Sequence, residues 1–181
     1  MSVSLLRLQS GKIALFYLVK NSLEDCRPVM RFSDDEAKTW SEPIPCIGDD
    51  QIGYYVLNND RAVQLATGRI VLPLAIHNAP GKEEPDWTGR VLTCYSDDEG
   101  KEWKRSRTMH TVERDDGSRL IAQEPGVVEL EDLSLLMFIR SNGGFQYFSR
   151  SSDGGETWSK PIPSTLLSPT SPATIERIPT T

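Results

Sequence analysis

The chain has 181 residues, with 20 lysines and arginines against 26 aspartates and glutamates, and a formal net charge of −6 at pH 7. General nucleic-acid binding needs clustered basic side chains that neutralise phosphates, so this acidic balance argues against a nucleic-acid partner. Hydrophobic residues make up 38% of the chain, which is enough apolar surface to stabilise a folded core. The composition therefore predicts an ordered globular chain and excludes wholesale disorder.

Short apolar runs, separated by turn residues, follow one another along the chain. The runs are Lys12 to Val19, Ala62 to Leu65, Arg69 to Ile76, Arg90 to Tyr95, Val127 to Leu130, Ser134 to Ile139 and Gln146 to Phe148. Glycine-containing turns such as Ser10-Gly11 and Thr67-Gly68 bound them, and no stretch shows apolar spacing of 3.6 residues over three turns. The chain is therefore predicted to be almost entirely β. All of these runs are shorter than the roughly 20 residues that cross a bilayer, so we expect no membrane span.

Cysteine and histidine spacing predicts neither disulfides nor a metal site. Cys26, Cys46 and Cys94 are odd in number and far apart, and neither His77 nor His110 belongs to a paired ligand motif. We expect the cysteines to be small buried residues, the histidines to be structural or on the surface, and the chain to need no cofactor.

An eight-residue segment that ends in tryptophan occurs three times. Residues 33–40 read SDDEAKTW, residues 96–103 read SDDEGKEW and residues 151–158 read SSDGGETW. Repeats of about 40 to 60 residues with several short strands each are typical of propeller blades, which are four-stranded antiparallel sheets. Three copies predict about three blades, whereas a closed ring needs roughly four to eight.

An incomplete ring has to be completed by something else. We expect residues 1–181 to form a partial propeller domain, whose remaining blades belong to a longer polypeptide or, alternatively, to associated copies of the chain. Open blades would otherwise expose unpaired sheet edges. The last residues, Ala173 to Thr181, are predicted to enter another strand. The compartment is left open, because no signal peptide is recognisable and we expect the chain to be part of a longer polypeptide.

The three repeats resemble Asp-boxes, the signature turns of sialidase-type β-propellers. The third copy matches throughout, the first has Ala37 at the glycine position, and the second has Glu102 at the threonine position. In such a turn the serine and aspartate accept backbone N–H bonds, glycine adopts a positive φ, and tryptophan buries an apolar face. We expect Ala37 either to carry left-handed strain or to lie in a slightly altered turn, and we expect no catalytic chemistry in the boxes.

Residues Glu124 to Arg140, EPGVVELEDLSLLMFIR, resemble a sialidase segment in which a glutamate, a V-V-E-L strand, a second strand and an arginine precede an Asp-box. The resemblance implies that Glu124 is the base toward a nucleophilic tyrosine. It also implies that Arg140 is one of three arginines that bind the substrate carboxylate, a pairing that suits the planar guanidinium. The alternative is that Glu124 is only a turn residue before Pro125 and that Arg140 is only a solvated residue at a strand end.

The resemblance also implies an acid/base aspartate in a loop shortly before an early box. Asp25 lies in such a loop and is our candidate, since the residue must donate a proton to the leaving oxygen and later accept one from water. Glu24 and an ordinary surface turn are the competing interpretations. Arg27, two residues further on, is a candidate for substrate binding.

Two further loops hold polar and aromatic residues suited to a sugar. Tyr55, Asn59, Asp60 and Arg61 lie before the strand pair that begins at Ala62, and Trp87 lies in the next long loop. Such groups are what a sugar-binding surface needs, although they are equally common in ordinary loops. Trp87 either stacks on a sugar ring or covers its blade.

Several parts of the family's site have no match here. The early arginine, the third arginine and the nucleophilic tyrosine are missing, and none of the five tyrosines, Tyr17, Tyr54, Tyr55, Tyr95 and Tyr147, occupies the late-blade position. Arg177-Ile178-Pro179 resembles the early R-I-P motif but falls after the third box.

The resemblance implies a retaining glycoside hydrolase of exo-α-sialidase type, which cleaves terminal sialic acid or a related acidic sugar from a sialoglycan. We expect the 181-residue chain to be inactive by itself, because the nucleophile is missing. The main alternative is a non-catalytic propeller that binds carbohydrate or protein, since the boxes report fold and not activity. A third possibility is a half-propeller whose site is built across subunits.

Overall fold

A computed structural model describes residues 2–82 and 84–178. These residues contain fifteen strands and one short 3-10 helix, joined by turns and loops. The prediction of an all-β chain is confirmed, and each predicted apolar run overlaps a strand. Within the described residues, no helix is long and apolar enough to span a membrane. Residues 173–178 form no strand, contrary to the prediction, and residues 179–181 lie outside the described part.

The first two blades share one hydrogen-bonded sheet. Blade 1 consists of β1 (Val3–Arg7), β2 (Ile13–Lys20), β3 (Cys26–Ser33) and β4 (Ile44–Pro45), each antiparallel to the one before. Blade 2 consists of β5 (Tyr54–Val56), β6 (Val63–Gln64), β7 (Ile70–Asn78), β8 (Arg90–Ser96) and β9 (Lys104–Arg105). A single parallel pairing, Cys26 with Tyr54, joins the two blades, and the 3-10 helix Asp49–Gln51 precedes β5.

Blade 3 is a separate four-stranded antiparallel sheet. It consists of β12 (Gln123–Glu129), β13 (Leu135–Arg140), β14 (Phe145–Ser151) and β15 (Ile162–Leu167). A small hairpin of β10 (Val112–Glu113) and β11 (Arg119–Leu120) leads into it.

Strand β7 explains why the blades pack as they do. All nine of its residues are buried, because successive side chains point to opposite faces and both faces are covered. Leu72 and Leu74 pack with Phe16 in the core between blades 1 and 2. Val71 packs with Met137 in the core between blades 2 and 3. The uninterrupted apolar run in the sequence therefore corresponds to a strand between two cores.

Each Asp-box connects the last two strands of its blade, and its hydrogen bonds close the turn. In the third box the Ser151 hydroxyl donates to Asp153 Oδ1 over 2.8 Å and accepts from Gly155 N over 2.9 Å. The backbone N–H of Thr157 donates to Asp153 Oδ1 over 2.9 Å, and its hydroxyl donates to Asp153 Oδ2 over 2.6 Å. Trp158 is buried and donates its indole N–H to Gly155 O.

The two variant boxes keep the same geometry. Ala37 has a φ of 63°, so the left-handed alternative is confirmed, and its N–H donates to Ser33 Oγ over 2.9 Å. In the second box the Glu102 N–H still donates to Asp98 Oδ1 over 2.9 Å, although the glutamate supplies no hydroxyl to the second carboxylate oxygen. The backbone bonds therefore define the turn, and the side chain at the threonine position only adds to them.

The boxes divide the molecule into two ends. We call the end with the Asp-boxes and the β1–β2, β6–β7 and β12–β13 turns the box end, and the opposite end the loop end. Strand pairing places the loops 21–25 and 141–144, the described residues 79–82 and 84–89, and the starts of β5 and β12 at the loop end. The candidate site residues lie on these segments or beside them.

Arg69 connects blade 2 to blade 3 at the box end. Its guanidinium forms ion pairs with Asp97 at 2.6 Å and Glu156 at 3.2 Å, donates to Asp153 O and Gly154 O, and lies 4.3 Å from the centre of the Tyr95 ring. This arginine thereby joins the second box to the third and helps to fix the position of blade 3.

We expect acid to destabilise the fold through the boxes. Hydrogen bonds from Thr39 and Ser33 lower the pKa of Asp35 to about 2, and the backbone N–H of Glu102 lowers the pKa of Asp98. A carboxyl with a lowered pKa in the folded state stabilises the fold above its unfolded pKa of about 4, and this contribution is lost as pH falls toward the folded pKa. The urea concentration at the unfolding midpoint should therefore decrease as the pH is lowered from about 4 to about 2.

Asp35→Asn supplies the matched control, because the amide keeps an acceptor oxygen but does not titrate in this range. The variant should be less stable than the wild type at neutral pH and should lose less stability on acidification. An equal acid-induced loss in both proteins would contradict a role for the box carboxylates.

Candidate functional site

Strand β12 contains a bulge at Glu124 and Pro125. Its pairing with β13 shifts register between Gln123 and Gly126, so the two residues between them lie opposite Ile139 alone. Glu124 has a φ of 47°, which is unfavourable for a residue with a side chain. Bulges redirect side chains, and strained backbone is concentrated at functional sites. The bulge therefore makes Glu124 a candidate functional residue on structural grounds.

The bulge brings Glu124 to Arg140, at the end of β13. Arg140 Nη1 lies 3.0 Å from Glu124 Oε1, and the two side chains are 23% and 22% exposed. One further polar atom of each residue, Glu124 Oε2 and Arg140 Nε, is buried without a hydrogen-bond partner in the described residues. The two residues that the sequence singled out are thus in direct contact, and each keeps a buried polar atom free.

Arg61 lies on the same face of blade 3, above Phe138. The guanidinium carbon is 5.3 Å from the centre of the Phe138 ring, a distance suited to a cation–π contact. A Cβ on Gly126 would overlap this ring, so the glycine is required for the ring to lie where it does. The Phe138 ring, for which Gly126 leaves room, therefore supports the Arg61 guanidinium beside the bulge.

The head of Arg61 holds a later part of the chain. Nη2 donates to Ala173 O over 2.6 Å, and Nη1 donates to Thr174 Oγ1 over 3.4 Å. Arg61 is 5% exposed, and its Nε has no hydrogen-bond partner in the described residues. Burial lowers the pKa of Arg61, although the charges of Glu124 and Asp60 oppose this effect.

A cavity of about 240 Å³ opens beside Arg61. Its lining includes Asp60, Phe138, Thr174 and Glu176, so it combines charged groups with an aromatic face. Such a mixture suits a small polar ligand with an apolar side, as a sugar ring is.

Asp25 makes its contacts in blade 1. Its carboxylate accepts from Arg27 Nε over 2.7 Å and from Asn21 Nδ2 over 2.9 Å, and Arg27 also donates to Asp49 over 2.7 Å. Burial alone raises the pKa of Asp25, but the hydrogen bonds from Asn21 and Arg27 outweigh it and lower the pKa. In the described residues no hydrogen bond or ion pair joins Asp25 to Glu124 or Arg140. As placed, Asp25 is an ionised carboxylate at neutral pH.

The segment around Asn59 attaches to the start of β1. Asn59 Oδ1 accepts from Val3 N over 3.0 Å, and Asp60 N donates to Val3 O over 3.2 Å. Tyr55 is 0% exposed, its hydroxyl donates to Gln51 O, and burial raises its pKa. Because Tyr55 packs in the core between blades 1 and 2, this placement does not expose it to a ligand.

Trp87 forms an exposed aromatic surface at the loop end. It is 53% exposed, and its ring lies 5.8 Å from that of Tyr54 and 5.5 Å from that of His77. Gln123, directly before Glu124, donates to the Trp87 backbone carbonyl over 2.5 Å. The loop that carries Trp87 is thus tied to the start of the bulge, a connection that the sequence did not indicate.

The described residues contain no group of three or more histidines, cysteines, aspartates or glutamates arranged to hold a metal ion. Cys26, Cys46 and Cys94 are free and buried, as predicted, and burial raises the pKa of Cys94 to about 12. His77 is also buried, which lowers its pKa.

Three antiparallel blades, each closed by the same serine–aspartate turn, define a β-propeller of the Asp-box type whose ring is not closed within the described residues. Residues 3–179 match the family model described as a BNR repeat-like domain. The chain belongs to this family, within the sialidase superfamily.

Relatives and solved structures agree with this assignment. The chain is 29% identical to an anhydrosialidase of Macrobdella decora over 167 residues, covering 87% of the chain and 20% of that protein. It is 29% identical to a sialidase of Bacteroides fragilis over 136 residues, covering 73% of the chain and 22% of that protein. The Hadza microbial sialidase Hz136 has a similar structure, with a TM-score of 0.66, 19% identity, and coverage of 91% of this chain and 33% of that one. The chain thus spans about a fifth of the length of these curated relatives.

We expect Gly126→Ala to destabilise the protein by about 1 to 3 kcal/mol, because the added methyl group would displace the Phe138 ring. The cost should be smaller in a Phe138→Leu background, where the side chain is more compact and flexible. Urea unfolding of the wild type, both single variants and the double variant measures this coupling. Strictly additive effects would contradict the packing of Gly126 against Phe138.

Proposed function

We propose that this chain is part of a retaining glycoside hydrolase of exo-α-sialidase type, which acts on terminal sialic acid or a related acidic sugar of a sialoglycan. The observation that carries the proposal is the Glu124–Arg140 pair at a strained bulge, with a buried atom of each residue free. The BNR repeat-like family and the two sialidase-named relatives support the same class of reaction.

Arg140 would bind the carboxylate of the sugar. Its guanidinium has five donors, of which Nη1 contacts Glu124 and Nε is buried without a partner. A planar guanidinium pairs with a carboxylate through two parallel hydrogen bonds, so a sugar acid suits these donors better than a neutral sugar does.

Glu124 would serve as the base for a tyrosine nucleophile supplied by another part of the complete site. The phenol oxygen would bond to the anomeric carbon while its proton passes to Glu124, and the leaving oxygen would take a proton from an acid. A water would then displace the phenol and restore both groups, with retention. A phenol starts neutral and so avoids the repulsion that a carboxylate nucleophile would meet beside the substrate carboxylate.

Asp25 is the proposed acid, on one condition. Its contacts with Arg27 and Asn21 lower its pKa, whereas a proton donor needs a raised one. Asp25 would therefore have to exchange its Arg27 contact for the leaving-group oxygen when substrate binds. Arg27, Asn59, Asp60, Arg61 and Trp87 are the proposed contacts for the rest of the sugar.

A non-catalytic propeller that binds acidic carbohydrate is the second candidate. Two observations favour it: Asp25 is held as an ionised carboxylate, and the fork of Arg61 already binds Ala173 and Thr174. This candidate shares the carboxylate contact of Arg140 with the hydrolase and differs only in the absence of turnover.

Binding of N-acetylneuraminic acid to the chain, measured by isothermal titration calorimetry, tests the contact that both candidates share. We expect Arg140→Ala to raise Kd by at least about 10-fold, the loss expected for a hydrogen bond to a charged group. Arg150→Ala is the matched control, because Arg150 is exposed on the same blade near the box end and should leave Kd unchanged. Equal effects of both variants, or no binding by the wild type, would contradict the proposed site.

Turnover of a fluorogenic sialoside by the natural polypeptide that carries this sequence separates the two candidates. A hydrolase should lose about 10²-fold in turnover on Glu124→Gln, because proton transfer contributes on this scale. Binding without any turnover would favour the non-catalytic propeller.

A further inference from the structure

Four buried side-chain atoms of the described residues have no hydrogen-bond partner, and all four belong to residues near the bulge or beside Arg140. They are Arg61 Nε, Glu124 Oε2, Arg140 Nε and Gln146 Oε1. Buried polar atoms are normally paired, so an unpaired one requires an explanation. The first three residues are part of the site described above. Gln146 is not, and neither its sequence context nor the family resemblance assigns it a role.

Gln146 is a cross-strand neighbour of Arg140. The antiparallel register of β13 and β14 ends with Ile139 opposite Tyr147, and its next position places Gln146, one residue before Tyr147, across from Arg140, one residue after Ile139. Ile139 and Tyr147 pack in the core between blades 2 and 3. Because side chains alternate along a strand, we expect Gln146 and Arg140 on the opposite face, which is the face of Phe138, although the pairing of β14 with β15 is irregular at Gln146.

The amide of Gln146 has a fixed orientation. Nε2 donates to Ser168 Oγ over 2.7 Å and faces Ser171 O at 3.5 Å. A backbone carbonyl only accepts hydrogen bonds, so it is the amide nitrogen that faces Ser171, and Oε1 points the other way. Gln146 is 2% exposed, so bulk water does not satisfy that oxygen.

The free atoms on this face are complementary to one kind of ligand. Arg140 Nε and Arg61 Nε are donors for the acceptor oxygens of a carboxylate, whereas Glu124 Oε2 and Gln146 Oε1 are acceptors for hydroxyl or amide N–H groups. A sugar acid carries both kinds of group on a small ring. A simple anion offers only acceptors and would leave Gln146 Oε1 unpaired.

We propose that Gln146 is a further ligand-contacting residue, whose Oε1 accepts a hydrogen bond from a hydroxyl or amide N–H of the sugar that Arg140 binds through its carboxylate. This inference rests on the proposed function. It adds a neutral recognition group beside the charged pair, and it makes Gln146 a determinant of which acidic molecules bind.

Calorimetric titration of the whole chain with N-acetylneuraminic acid tests this role. Gln146→Met keeps the length of the side chain but removes the acceptor, and it should raise Kd by about 5-fold, the loss expected for one neutral hydrogen bond. Ser168→Ala is the matched control, because it removes one partner of the amide nitrogen but keeps Oε1 and the Ser171 carbonyl that the amide nitrogen faces. It should change Kd by less than about 2-fold.

A second variant keeps the test decisive if Gln146→Met does not fold, which a thermal melt without ligand shows. Gln146→Glu keeps the side-chain size but places a negative charge beside the ligand carboxylate, so it should raise Kd at least as much. Unchanged binding by the folded variants, with normal binding by the wild type, would overturn the role of Gln146 alone. Absence of binding by the wild type would overturn the proposed function and this inference with it.

Discussion

The hydrogen bonds of the Asp-box are the constraint on which the rest of the structure depends. In each blade an aspartate oxygen accepts two or more bonds from a turn that a serine hydroxyl also closes, so the same end of every sheet is fixed in the same way. Arg69 then links two of these turns across a blade boundary. Because these turns fix the box end, the loop end can hold buried polar atoms that have no hydrogen-bond partner in the described residues.

The bulge at Glu124 shows what that freedom is used for. One extra residue in β12 directs the Glu124 carboxylate toward Arg140, and Glu124 adopts a left-handed backbone conformation there. Two residues later, Gly126 leaves room for the Phe138 ring, against which Arg61 packs. The result is a face where donors and acceptors are buried together without being fully paired. Such an arrangement is unfavourable in the absence of a partner and favourable when a ligand with matching groups binds.

Much of the fold was predictable because its signals are local. The short apolar runs, the glycine turns and the repeated boxes predicted the strands and blades, and a left-handed Ala37 was one of the two conformations expected from the box. Glu124 and Arg140, which the resemblance singled out, are in contact in the structure, and the roles that the resemblance implies for them stay a prediction. The burial of Tyr55 was not predictable, because a tyrosine in a polar stretch gives no sign that its hydroxyl bonds to Gln51. Gln146 was missed for a similar reason: a neutral amide on a strand has no motif, and only the pairing of β13 with β14 places it beside Arg140.

The most direct test of the central claim is to observe the free Nε–H of Arg140 by NMR while N-acetylneuraminic acid is added to the ¹⁵N-labelled chain. Assignment follows from the resonance that disappears in Arg140→Lys. The structure predicts a saturable shift of this resonance with little change at Arg150, which lies on the same blade but is exposed. A resonance that does not move at ligand concentrations where the chain is shown to bind, or one that moves no more than that of Arg150, would contradict the assignment of Arg140 as the carboxylate-binding residue.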